Sequence, residues 1–278
     1  MKPAPFAYQR PSDLKAALAL MARSEGVTKI IAGGQSLGPM LNLRLVEPDL
    51  VIDIAGLSEL KQAERDGDDL VIGACITHAD IEDVRIPDVT RGAMQRVAST
   101  IAYRAVRNRG TIGGSLSHAD PSADWLCALS ALGATVTLRS LAGVRRLNIG
   151  EFVPGALETA LQTGEIVEAI RVPVMAPSAR FGYVKSCRKT GDFAYAMSAV
   201  LIDPEAETAR IVIGALQTAP VLLSEPAELF GGRLGAGSSR KFDPRIADAM
   251  LAKAGISDAV DRHIHITVLR RAVAEAAQ

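Results

Sequence analysis

The sequence predicts an α+β protein in which two α/β units precede a smaller region of antiparallel sheet and helices. Three observations predict it. Through residue 177, short apolar runs of β type alternate with stretches whose apolar residues recur at helical spacing. Beyond residue 178, three β runs follow one another, "RFGYVKSCRK", "FAYAMSAVLID" and "TARIVIGALQ", the last two joined by an Asp-Pro-Glu turn at 203–205. The remainder, to "HITVLRRAVAEAAQ", returns to helical period. A chain of 278 residues is long for one core, and the expected subdomains are 1–57, 58–177 and 178–278.

In chain order, Ser12 is placed to cap a first helix beginning at Asp13, where a carboxylate suits the positive end of the dipole. Leu14, Ala17, Leu18 and Met21 form its apolar stripe, and Gly26 closes it. "VTKIIA" (27–32) and "DLVIDI" (49–54) read as the strands of a strand, crossover, strand unit. Further strands are expected at 69–76, 134–140, 144–149 and 165–173, with one helix capped by Thr77 and Asp80 and another from Pro121 to Leu132. "PVMAPSA" (173–179) has the composition of a linker and "FGGRLGAGSS" (230–239) that of a loop.

Basic and acidic residues number 31 each. No global field draws nucleic acid or an anionic membrane surface, and neither is expected as a partner. No apolar run approaches the roughly 20 residues that cross a bilayer, and "MKPAPFAYQRPSD" lacks the apolar core of a secretory signal. A cytoplasmic protein is expected. Cys75, Cys127 and Cys187 are odd in number and far apart, which reads as buried free thiols. "HIH" at 263–265 has no third ligand nearby, so no metal is expected on this chain.

Two stretches echo each other: "IAGGQSLGPMLNLRL" (31–45) and "TIGGSLSHADPSADW" (111–125). A strand that ends in Gly-Gly and small polar residues can curl so that several N–H groups point into one concavity, which holds an anion. Glycine admits positive φ there, and no Cβ blocks a phosphate. Gly33, Gly34, Gln35 and Ser36 would supply one such nest; Thr111, Ile112, Gly113, Gly114 and Ser115 would supply a second. Either pair alone is equally an ordinary turn. The spacing is not G-x-G-x-x-G and no Lys follows as in a P-loop, which argues against a Rossmann site and against ATP hydrolysis. Two neutral nests can grip the two phosphates of one dinucleotide. Asp120 and Asp124, beyond the second pair, either accept hydrogen bonds from sugar-like hydroxyls or cap a helix.

"AGGQSL" (32–37), "RNRGTIGG" (107–114) and "RKTGDFAYA" (188–196), in this order and spacing, resemble the FAD-binding medium subunit of the molybdenum hydroxylases, of the carbon monoxide dehydrogenase type. The chain is also similar to the flavin domain of xanthine oxidase. The resemblance spans essentially the whole chain and implies the flavin fold shared with vanillyl-alcohol oxidase: two FAD-binding α/β subdomains, with FAD between them, and a small C-terminal domain. By motif it implies that Ala32, Gly33, Gly34, Gln35 and Ser36, flanked by Leu37, hold the pyrophosphate together with residues 111–115. Asp124 would bind the ribityl chain or nearby hydroxyls, with Asp120 close by. Ile101, Ala102 and Val167 would line the flavin or adenine pocket.

Lys185 would sit near the pyrimidine edge of the ring, where positive charge raises the flavin's potential; a strand Lys facing solvent is the plain alternative. Phe193 would shield the ring. Two positions depart from the family pattern: Gln35 stands where His is usual, and Phe193 where Tyr is frequent.

In the resembled family the substrate is oxidised at a molybdenum cofactor on a large subunit, and [2Fe–2S] clusters on a small subunit relay the electrons. The flavin is the exit to an external acceptor such as a quinone, a cytochrome, oxygen or NAD. The resemblance therefore implies an oxidoreductase subunit in a dimer of heterotrimers, a heterohexamer, with no catalytic residue of its own. The substrate, be it CO, an aldehyde, an N-heterocycle or an aromatic thioester, is selected on another polypeptide. A self-sufficient flavin oxidase or dehydrogenase of the same fold is the alternative, and a non-catalytic nucleotide-binding module is a third.

Overall fold

The computed structural model describes residues 2–277 except 233, 235 and 236. Three sheets divide the chain. The first is parallel, with strands β1 (Ala7–Gln9), β2 (Thr28–Ile31) and β3 (Leu50–Asp53) in the order β1-β3-β2. Helix α1 (Leu14–Arg23) crosses between β1 and β2. Its cap is Asp13, whose carboxylate accepts the Ala16 N–H, whereas Ser12 donates its hydroxyl to Asp13. The helix ends at Arg23, short of Gly26. Leu14, Ala17 and Leu18 pack with Ile52, Ile54 and Leu60, so the apolar stripe does face the core. All three residues of β1 are exposed, which hides the strand from any reading of apolar periodicity.

The second sheet comprises β4 (Ala63–Asp66), β5 (Asp69–Gly73), β6 (Thr135–Ser140), β7 (Gly143–Asn148) and β8 (Ile166–Pro173), ordered β4-β5-β8-β6-β7 with every neighbouring pair antiparallel. The connection from β5 to β6 carries α3 (His78–Glu82), α4 (Ala93–Thr100), α5 (Arg104–Arg107), α6 (Ile112–His118) and α7 (Asp124–Leu132); α8 (Ile149–Phe152) follows β7. Thr77 and Asp80 form the expected reciprocal cap on α3. The helix expected from Pro121 begins at Asp124, because the Asp120 carboxylate accepts the Ser122 N–H and holds the intervening residues in a turn. Helix α7 is apolar almost all round, with Trp125, Leu126, Cys127, Ala128 and Leu129 fully buried. It lies between two sheets, and a helix so placed has no solvent face to make polar.

The third sheet is the expected meander, β9 (Arg180–Ser186), β10 (Ala196–Asp203), β11 (Thr208–Gly214) and the short β12 (Val221–Leu222), ordered β12-β11-β10-β9. Helices α9 (Pro244–Lys253) and α10 (Ala259–Glu275) follow. Strand period 2 sorts β9 cleanly. Phe181 and Tyr183 enter the core that contains α7, while Val184 packs in the C-terminal core. Gly182 lies so close to α10 that a Cβ would stand 1.9 Å from the Ala272 carbonyl oxygen.

Residues 173–179 are packed rather than a free linker: Met175 N–H donates to Val89 O, and Arg91 donates to the carbonyls of Pro177 and Ala179. Of the loop expected over 230–239, residues 233, 235 and 236 lie outside the described residues. Cys75 and Cys127 are buried free thiols, and burial pushes the Cys75 thiol up to about 12; Cys187 is only partly buried. Among the described residues no helix is long and apolar enough to cross a membrane.

Candidate cofactor-binding site

After β2 the chain turns at Gly33 and Gly34, the latter at φ 72°, and enters α2 (Leu37–Asn42). Gly38 N–H donates to Gly34 O, Met40 N–H to Ser36 O, and the Gln35 side-chain amide to Gly33 O. The main-chain amides of Gly33, Gly34, Gln35 and Ser36 donate to nothing among the described residues. Four consecutive free donors are what an anion-holding turn requires. Ala32 and Leu37 flank it, both half-buried.

The second glycine pair is built differently. Thr111 caps α6, its hydroxyl accepting the Gly114 N–H at 3.1 Å. Ile112 N–H donates to Ile76 O, Gly113 N–H to Ala74 O and Ser115 N–H to Thr111 O, each at 3.0 Å. The sequence suggested a second open nest at a strand end; the structure has a helix start whose amides are already engaged. What the segment offers a ligand is the Thr111 hydroxyl proton, the positive helix end and the exposed face of Gly114. The first pair meets the segment leading into the second through Gly33, where a Cβ would lie 2.0 Å from Arg109 O and 2.9 Å from Gly110 Cα.

The wall below is charged. Asp124 Oδ1 accepts from Lys185 Nζ and from the Tyr183 hydroxyl, both at 2.7 Å, and Lys185 also donates to Thr100 O at 2.9 Å. The Lys185 and Asp124 side chains are 8% and 10% exposed. Lys185 therefore does not face solvent: two residues from Tyr183 on β9, it shares the face turned toward α7. Its field at a neighbouring ligand is that of an ion pair, weaker than that of a lone cation. Burial, and then the Asp124 charge, push the Tyr183 hydroxyl well above the ordinary phenol range, so it stays a proton donor.

Arg107 fixes the segment that leads to Thr111. Its guanidinium forks onto Glu82 at 2.7 and 2.9 Å and donates to Ile101 O at 3.0 Å and Ala102 O at 3.1 Å. Hydrogen bonding from Arg107 holds the Glu82 carboxyl below its usual range. Ala102 sits at φ 41°, a left-handed conformation uncommon for residues other than glycine. Gly191 packs on it, since a Cβ there would be 2.6 Å from Ala102 O. That contact brings the third motif to the same wall, and Phe193, two residues on, is 73% exposed. Val167 lies elsewhere in character: it is 3% exposed and belongs to the core, so it offers a ligand little beyond its backbone. Asp120 has one oxygen committed to the Ser122 N–H.

His78, unremarked in the sequence, underlies the junction. Its N–H donates to Gly110 O, and its Nδ1 accepts the Trp125 indole N–H at 3.0 Å. Burial lowers the imidazole to about 4, the Arg107 charge adds to this and Asp124 opposes it. An unfolded His titrates near 6.5, so between about 6.5 and about 4 the unfolded chain binds a proton that the folded chain refuses. The His78 contribution to stability is therefore expected to be constant above about 6.5 and to be lost as pH drops toward about 4, at up to about 1.4 kcal/mol per unit. Urea unfolding at a series of pH values checks this. His78→Asn, which keeps an acceptor for Trp125 without a titrating ring, should flatten the profile; an unchanged slope in that variant would assign it to other groups.

Residues 4–175 match the family described as FAD binding domain in molybdopterin dehydrogenase. The chain is similar to caffeine dehydrogenase subunit beta of Pseudomonas sp. (strain CBB1), at 32% identity over 97% of this chain and 100% of that one. It is similar also to the carbon monoxide dehydrogenase medium chain of Hydrogenophaga pseudoflava, at 34% identity over 91% of this chain and 88% of that one. A solved structure of carbon monoxide dehydrogenase from Hydrogenophaga pseudoflava matches with a TM-score of 0.87 at 29% identity, over 99% of this chain and 98% of that one. These relatives are subunits of larger dehydrogenases, which favours the relay over a self-sufficient oxidase. The chain belongs to the FAD-binding medium subunits of the molybdenum hydroxylase family.

Proposed function

We propose that the cleft between the Gly33–Ser36 turn and α6 holds FAD, and that the chain is the electron-exit subunit of a cytoplasmic molybdenum-containing dehydrogenase. The carrying observation is the packing of Gly33 onto Arg109 and Gly110, which sets the two glycine motifs side by side. The donor set fits the cofactor: free amides at Gly33–Ser36 and the Thr111 hydroxyl for the diphosphate, Asp124 for hydroxyls, Ile101 and Ala102 as a wall, and the exposed Phe193 ring to cover the flavin. Lys185, paired with Asp124, would lie toward its pyrimidine edge. Bound FAD would supply a couple that takes electrons singly and passes them on singly or in pairs.

The proposed partners are a large subunit with the molybdenum cofactor and a small subunit with [2Fe–2S] clusters, in a dimer of heterotrimers. The named relatives act on caffeine and on carbon monoxide, and here too the large subunit would choose the substrate. FAD would sit between subdomains 1–57 and 58–177, with 178–278 as the C-terminal domain.

Gly114→Val tests the cleft. An added Cβ meets only Thr111 Oγ1, at 2.8 Å, the hydroxyl that caps α6, so the variant also strains that cap, and circular dichroism establishes that it folds before binding is read. Branched carbons on that exposed face would occupy ligand space, and a loss of FAD affinity of at least about tenfold is expected. Stoichiometric FAD in the folded variant would contradict the assignment. Co-expression with neighbouring genes tests the role: copurifying molybdenum and iron–sulfur subunits support it, and bleaching of the isolated flavoprotein by a small substrate would overturn it.

A further inference from the structure

We infer that Tyr183, on the C-terminal sheet, is a positioning residue for the flavin site: it locks the Asp124 carboxylate so that Oδ2 alone is presented to the ligand. The inference rests on the FAD reading above and adds a residue that none of the three motifs contains.

A carboxylate free to rotate about its terminal torsion presents either oxygen. Here the two oxygens are sharply unequal. Oδ1 receives the Tyr183 hydroxyl and the Lys185 ammonium, both at 2.7 Å, and lies 3.2 Å from the Thr100 hydroxyl. Thr100 has one hydroxyl proton, and Val97 O lies closer to it, at 2.8 Å, so Tyr183 and Lys185 are the two effective donors. Oδ2 accepts no hydrogen bond among the described residues. It is also not enclosed: the fully buried side-chain atoms without a partner, among the described residues, are Gln95 Oε1, Ser198 Oγ and His265 Nε2. Oδ2 thus borders accessible space while Oδ1 is saturated. That is the geometry of an acceptor aimed at a ligand hydroxyl.

Tyr183 is suited to this task. It is 6% exposed, it lies on the edge strand β9 opposite Ala199 of β10, and its N–H donates to the Glu275 carboxylate on α10. The hydroxyl has little freedom to leave Asp124, its other neighbour being Met197 Sδ at 3.8 Å. A residue of the third sheet thereby orients an acid at the head of α7, and the C-terminal domain becomes part of the cofactor site.

The test is a double-mutant cycle read as FAD dissociation constants on the full chain, with flavin midpoint potentials as a second readout. Tyr183→Phe removes the hydroxyl and keeps the ring. It is expected to raise the Kd about tenfold in the wild-type background, and less than about twofold where Asp124→Asn and Lys185→Met have removed the carboxylate and its cation. Met197→Leu, altering the hydroxyl's other neighbour, should leave the Kd unchanged. Equal losses in both backgrounds would make Tyr183 a packing residue only, and no loss in either would also overturn the inference. Wild-type chain that takes up no FAD at all would instead sink the flavin reading. Near-UV circular dichroism establishes folding; should Tyr183→Phe alone fail to fold, the neutral background carries the comparison, and a loss there above about threefold overturns the inference.

Discussion

Gly33→Ala is expected to strip FAD from the chain and to destabilise it by about 1–3 kcal/mol, the range for overpacking a filled interior. The added carbon would stand 2.0 Å from Arg109 O, 2.7 Å from Arg109 C and 2.9 Å from Gly110 Cα. All three are backbone atoms, so no rotamer change relieves the clash. Nor can the neighbour retreat easily. A Cβ on Gly110 would already meet the His78 ring at 2.9 Å, and that ring is held by Trp125. The relief available is to move the 33–36 turn away from α6, and this separates the two halves of the proposed diphosphate site. Gly150→Ala is the control, because a Cβ there meets nothing within 4 Å. Flavin absorbance per chain after gel filtration, with thermal unfolding, reads both effects. A variant with full FAD and an unchanged melting temperature would show that the two loops are not packed as described.

The meander, the parallel first unit and the three motifs were legible because each is a local pattern: period 2, period 3.6 and glycine placement. Other elements leave no such pattern, for physical reasons. Strands β1 and β4 expose most of their residues, so burial leaves no alternation in their sequence. Helix α6 was hidden by its own glycines, which disfavour a helix by about 1 kcal/mol each relative to Ala, although Thr111 is a standard cap type. The same glycines make 111–115 resemble an open nest, although its amides are engaged within the fold. The Asp124 cluster was half legible. Asp124 and Lys185 were singled out by motif, but Tyr183 is 59 residues from Asp124, and nothing short of the fold brings them together. Arg107 stood in plain view at the head of "RNRGTIGG", yet its target is Glu82, 25 residues earlier.

Asp124→Asn is expected to cost about 3–5 kcal/mol, because it leaves the Lys185 ammonium buried without its counterion. Thr100 O would remain as an acceptor, but a carbonyl dipole does not replace a charge at 2.7 Å. Adding Lys185→Met should return most of that stability, to within about 1 kcal/mol of wild type, since an apolar side chain of similar length replaces a cation that no longer has a partner. Chemical denaturation of the single and double variants measures the difference. FAD affinity should behave otherwise and stay low in the double variant, which has neither the carboxylate nor the cation beside the ligand. That divergence is the informative result. A buried ion pair whose joint removal restores stability, yet leaves binding impaired, exists for the site it lines rather than for the fold. If Asp124→Asn alone unfolds at the wild-type denaturant concentration, Lys185 is not locked in the interior, and the charged wall of the cleft has been drawn wrongly.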